Sequence, residues 1–273
     1  MKVAFGNWRY LFQNFWYVIP SAILPAVFLA LSIDYTAVSH FAHGMVSGAP
    51  RAGFISLLRV FSILRIDSWL GGIYSVLTFL SIAFFSAFLL TIVEKHMRIG
   101  KRNLRGADVQ LFHILLPATG MTFLFIVLYE VWAIIVSAVF FAVCSFHAAT
   151  LVYIFYGVAF IAAGILFAFI VAALFLWLPC MQVTGFRPYD ALISSYHLSS
   201  GVRGKLTVIF ALFIVLMTAA FGGLALLPAY VLLPVAFVLY AFLFAAFCVR
   251  METVYFYADK IDREDLIRSY REL

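Results

Sequence analysis

Long stretches without a single Asp, Glu, Lys or Arg set the pattern of this chain. The longest runs from Val131 to Phe186, 56 residues, and a second from Leu206 to Val249, 44 residues. A bilayer core about 30 Å thick takes roughly 20 helical residues to cross, so each stretch holds two crossings and a tight turn. Three shorter stretches, Tyr10 to Ile33, Ser68 to Val93 and Val109 to Tyr129, are 24, 26 and 21 residues long and hold one crossing each. The last of them continues across Glu130 into the longest stretch, which makes six helices rather than seven. They fall near 15–33, 69–93, 114–142, 149–179, 206–225 and 228–249. The expectation is an all-α polytopic membrane protein, one domain of three transmembrane hairpins, since backbone polar groups in lipid must be bonded within their own segment.

The polar segments between crossings carry a second pattern. Phe5, Trp8, Leu11, Phe12 and Phe15 recur at three- and four-residue spacing, with Asn7, Arg9, Gln13 and Asn14 between them. That spacing predicts an amphipathic helix lying in the membrane interface. Similar lead-ins, KHMRIGKRNLRGADVQLFH (95–113) and RPYDALISSYHLSSGVRGK (187–205), precede the third and fifth crossings. The chain thus reads as three copies of an interfacial helix followed by a hairpin. An excursion at 34–67 interrupts the first copy, and its second half, FISLLRVFSILR (54–65), is itself amphipathic. Internal symmetry is common in transporters but does not by itself imply transport.

This tripled layout, the stretch KHMRIGKRNLRG and the phrase YDALISSYHLSSGVRGK resemble bacterial six-helix membrane proteins of the YesL type. They also resemble the membrane domain attached to glycerophosphodiester phosphodiesterases. The resemblance implies a six-helix membrane fold. It implies no hydrolytic activity, because the phosphodiesterase domain has no counterpart in the sequence, and it carries over no catalytic residue.

Composition agrees with the pattern: 66% of residues are hydrophobic and 11% charged, against about half and a quarter in soluble domains. The segments 1–14, 94–113, 180–205 and 250–273 hold fifteen of the 18 Lys and Arg, leaving only Arg51, Arg59 and Arg65 on the other side. The positive-inside rule then places both termini in the cytoplasm, in a plasma (inner) membrane. The net charge of +6 follows from topology and attraction to anionic lipid, not from nucleic acid. The first apolar run reads as a retained helix, since no small-residue cleavage site follows Ile33. Cys144, Cys180 and Cys248 show no pairing spacing and read as small hydrophobes.

Glu130 is the sharpest candidate for chemistry. A carboxylate at mid-crossing is costly and turns toward protein or water. At 100° per residue, Thr119, Ser137 and, more loosely, Ala133 share its side, and Tyr153, Tyr156 and Thr150 on the next helix are candidate partners. Such a stripe suits a proton or cation site, or a hydrogen-bonded staple between helices. Gly157, Gly164, Ala168 and Ala172 form a small-residue face fit for close helix packing. His40 and His43, with His147 and Asp34, are the candidates for an extracytoplasmic metal site, although loop histidines are ordinarily solvated and no metal or other cofactor is expected. The segment 187–203, with Arg187, Asp190 and Arg203, is a candidate coupling surface. The tail 251–273 mixes both charge signs, as expected of a solvated helix that docks a partner protein. No Walker A loop, H-E-x-x-H, G-x-S-x-G or paired C-x-x-C occurs. The expected function is a non-enzymatic accessory or regulatory membrane component that binds proteins or lipids. The alternative is a small-solute transporter or permease subunit using Glu130.

Overall fold

The computed structural model describes residues 2–47, 52–65, 67–102, 104–144 and 149–266. Among them every regular element is a helix. The protein is an all-α, membrane-embedded helix bundle.

The chain begins with α1 (Lys2–Gln13), a one-turn α2 (Phe15–Val18) and α3 (Pro20–Ser32). The 13 residues of α3 span roughly 20 Å, short of a full crossing. The chain then turns by 63° at Ile33 and Asp34 into α4 (Tyr35–Val46). Ile33 is extended there, and the Asp34 carboxylate accepts the Ala37 N–H, so a new helix starts instead of the old one continuing. The segment expected as one crossing over 15–33 is thus made of α2 and the short α3, with the bend at its end. Among the described residues five helices are long and apolar enough to cross by themselves, six if the bent pair counts as one span.

After α5 (Phe54–Phe61) come the long helices α6 (Trp69–Ile99) and α7 (Ala107–Val143). The turn between them begins and ends at Gly100 and Gly106, both left-handed with φ of 69° and 72°, a conformation that favours glycine. The lead-in expected at 95–113 is accordingly no separate helix: its first residues finish α6 and its last ones start α7. Then follow α8 (Ala149–Leu174), α9 (Trp177–Thr184), α10 (Pro188–Ser199), α11 (Arg203–Leu224) and α12 (Ala229–Ala258). The lead-in at 187–205 does form a helix of its own, α10.

Helix α3 packs between α6 and α12, α7 joins α6 to α8, and α11 packs along α8. Because α1 lies against α12, with Asn7 bonded by Arg250, the first and last described segments sit at one end of the bundle, called here the termini end. The segment 34–65 lies at the other, distal end. Large apolar side chains cover the outer faces, such as Leu116 (81% exposed) and Val208 (67%), as a lipid solvent demands. Trp16 and Tyr189 at the termini end, and Trp69 and Tyr230 at the distal end, are also largely exposed. Exposed Trp and Tyr of this kind are what form aromatic belts at membrane interfaces.

Two local features go beyond the expected pattern. The buried face of α1 is Asn7, Tyr10 and Leu11, while Phe12 is 64% exposed. In lipid the aromatic side chain faces outward and the polar one finds partners inside. The segment 251–258, read from sequence as the start of a solvated tail, is the end of α12, and all six residues from Met251 to Phe256 are buried. Residues 267–273 of the tail lie outside the described residues.

Candidate functional site

Glu130 on α7 is half-buried, and its Oε1 accepts two backbone N–H groups, from Ile63 at 3.0 Å and Leu64 at 3.1 Å. These donors belong to the turn that follows α5. Non-helical backbone inside a bundle needs acceptors supplied by protein, and here a helix on the far side of the turn supplies one. The same turn is tied to α6, where Ser75 Oγ accepts the Arg65 N–H at 2.8 Å. It also lies so close that a Cβ on Gly71 would come within 2.7 Å of the Arg65 side chain and 2.8 Å of its carbonyl. A second tie holds the preceding helix: the Tyr153 hydroxyl on α8 donates to the Met45 carbonyl at the end of α4, 2.9 Å away.

Two of the polar residues singled out from sequence are thus joined by what they hold, not by touching each other. Glu130 and Tyr153 pin the two parts of the distal excursion. Thr119 and Ser137 take no part, since each hydroxyl donates to the carbonyl four residues back on α7, Leu115 and Ala133. Tyr156 shares a short contact with Cys144 Sγ.

What the excursion covers is a cavity of about 590 Å³. Its roof is Val38, Phe41, Ala42 and Met45 of α4 with Phe61 and Ile63 of the α5 segment. Its walls are Tyr129 and Trp132 of α7, Phe213 to Gly222 of α11, and Tyr240 and Leu243 of α12. The lining is almost wholly apolar, with Ser32, Ser62 and Thr218 as exceptions. Helix α11 meets α12 through two aromatic pairs, Phe210–Phe247 (centroids 6.2 Å apart) and Phe221–Tyr240 (5.3 Å). The α11 residues that line the cavity run from Phe213 to Gly222, from just past the first of these pairs to just past the second. On the other face of α4, Tyr35, Thr36, Ser39, His40 and His43 border a smaller, more polar hollow of about 430 Å³ with Leu226 to Pro228.

The termini end holds a polar cluster that the sequence reading did not assemble. Arg102 donates twice to Asn14 Oδ1, at 3.1 and 2.8 Å, and Arg250 reaches Asn7 Oδ1 at 3.3 Å. The Tyr10 hydroxyl shares a 2.8 Å hydrogen bond with His96 Nδ1. Burial, then the Asp265 carboxylate, pushes the Tyr10 hydroxyl well above its ordinary ionisation range. Arg263 pairs with Asp265 and lies 5.6 Å over the Tyr10 ring, so the described part of the tail folds back on α1. Glu94 pairs with Arg98 one turn along α6. Glu252 on α12 is fully buried. The only signal for this cluster in the sequence was the polar content of the interfacial segments.

The other candidates are placed as follows. Gly164, Ala168 and Ala172 are buried, and a Cβ on Gly164 would rest 3.7 Å from Ile214 of α11, whereas Gly157 lies exposed with open space around it. Arg203 stacks 3.8 Å over Tyr196 and bonds Ser199 Oγ at 3.1 Å, while Arg187 and Asp190 are exposed. Asp34 is spent as the cap of α4, bonded to Ala37 N–H and the Thr36 hydroxyl. His43 bonds the Ser39 carbonyl. His147 and the side chain of Thr150 lie outside the described residues. No group of three or more metal-ligating side chains occurs among the described residues. Compared with known proteins, the chain matches no family model, no curated protein and no solved structure.

Proposed function

We propose that this protein is a non-enzymatic membrane component that binds a single lipid acyl chain in the distal cavity. The observation that carries the reading is the cavity itself: about 590 Å³, apolar, and roofed by a segment tied down at Glu130 and Tyr153. Its size falls within the range of ordinary ligand pockets. At its depth the surrounding solvent is lipid, and aromatic pairs rather than close packing join α11 to α12, which suits sideways entry of a chain. The positive-inside distribution supports a cytoplasmic termini end in a plasma membrane. The exposed Arg187 and Asp190 on α10, beside Tyr189, support this face as the surface offered to a partner protein.

The transporter reading that used Glu130 as a proton or cation site has less support, since the carboxylate is engaged by backbone donors. Mass spectrometry of the intact protein, released from mild detergent, tests the lipid reading. The wild type retains one lipid per chain. Gly222→Phe, which adds a ring where a Cβ meets nothing within 4 Å, loses it while keeping its fold. Equal lipid retention by both proteins would refute the reading.

A further inference from the structure

Two carboxylates, Glu94 (1% exposed) and Glu252 (0%), lie in the same buried region where α6 meets α12. Glu94 is paired with Arg98. Among the described residues, neither oxygen of Glu252 has a hydrogen-bond partner. The groups acting on Glu252 are Glu94 and Arg98 from α6, Cys180 from α9, and Cys248 and Tyr255 of its own helix. Helix α3, packed alongside, brings no titratable side chain. On α1, Asn7 bonds Arg250 and Tyr10 bonds His96.

Two acids thus share one guanidinium, and Arg98 has gone to Glu94. A buried carboxylate without a partner is not kept ionised, because the loss of hydration exceeds what nearby dipoles return. A metal cation does not fit: no group of three ligating side chains occurs among the described residues, and Arg98 repels positive charge. A proton is the one cation that needs a single oxygen and no coordination shell.

We propose that Glu252 is a proton-binding site, carrying its proton at neutral pH while Arg98 serves Glu94. Loss of that proton makes two carboxylates compete for one arginine at the junction of α6 and α12. Protonation therefore selects the packing of the termini end. This site is independent of the distal cavity, and its test does not involve lipid.

Infrared difference spectroscopy of the full chain in nanodiscs, titrated with acid and base alone, reads it directly. At pH 7 the wild type shows the carbonyl stretch of a protonated, non-hydrogen-bonded carboxylic acid. The band disappears in Glu252→Gln, moves in Glu252→Asp, a variant that keeps the acid should the amide fail to fold, and weakens in Glu94→Gln, which frees Arg98 to pair with Glu252. Glu252→Gln, which mimics the protonated side chain, melts with the wild type at acid pH, where the unfolded chain keeps the proton too, and melts above it at pH 7. As pH rises, the wild type melts progressively lower than this variant, because the folded state then holds a proton that the unfolded chain has lost. Absence of the band from the wild type at pH 7, its persistence in Glu252→Gln, or a parallel pH dependence of the two melting curves would overturn the proposal.

Discussion

Removal of the Glu130 carboxylate is expected to loosen the roof of the cavity before it unfolds the bundle. A hydrogen bond to a charged acceptor contributes about 1.5–3 kcal/mol, and a neutral one about 0.5–1.5. Ile63 N–H has Glu130 as its acceptor, whereas Leu64 N–H also reaches Ser62 Oγ at 3.0 Å. The first bond therefore counts in full and the second in part. Glu130→Gln keeps an acceptor oxygen and loses about 1–2 kcal/mol, while Glu130→Ala leaves Ile63 N–H unsatisfied and loses about 2–4 kcal/mol. Hydrogen exchange resolved along the sequence is the assay. With about 1.4 kcal/mol per factor of ten, exchange across 62–65 rises roughly tenfold in the amide variant and about a hundredfold in the alanine variant. Amides in the middle of α6 stay at wild-type rates. If Glu130→Ala leaves 62–65 as protected as before, the carboxylate does not pin the roof and its expense at that depth needs another cause.

Other consequences are local and separable. Tyr153→Phe removes the bond to the Met45 carbonyl and costs about 1 kcal/mol, read as faster exchange at the end of α4 with α5 unaffected. Asn14→Ala leaves Arg102 without its two-pronged acceptor and lowers stability by about 1.5–3 kcal/mol, measured by thermal melting in detergent, whereas Gln13→Ala on the exposed side has no measurable effect. Ala168→Leu forces a larger side chain into a fully buried position and costs about 1–3 kcal/mol, again read by melting, while Gly157→Ala is neutral because its Cβ meets open space.

The uncharged stretches located the five long helices to within a few residues at most of their ends, because the cost of a charge in lipid is written directly into the sequence. The exceptions lie at the termini end, where α6, α7 and α12 run six, seven and nine residues beyond the expected crossings and α8 stops five residues short. Hydropathy gives no sign that a helix has left the bilayer while still packing on its neighbours. The bend at the end of the first expected crossing was hidden for a related reason: Asp34 ends an apolar run, and a side chain that stops a run also caps a new helix. The partners of Glu130 were out of reach because its donors are backbone groups 66 and 67 residues away, and backbone groups leave no trace in side-chain patterning. Periodicity found α1 as an interfacial helix, but it could not show that Asn7 and Asn14 of its polar side would be buried. Asn7 and Asn14 point inward because arginines from α12 and the α6–α7 turn wait there. The acids of the termini end were visible one by one, but nothing in the sequence brings position 94 to position 252.

The account turns on whether the distal cavity takes a lipid chain. Photo-crosslinking with a phospholipid that carries a diazirine near the end of its acyl chain, followed by peptide mapping, asks this most directly. Adducts at Tyr129, Trp132 and Met217, which face the cavity, are the predicted result, and they diminish in Gly222→Phe. Adducts confined to outward positions such as Leu116, Trp69 and Val208 would mean that lipid only surrounds the bundle, and would contradict the central claim.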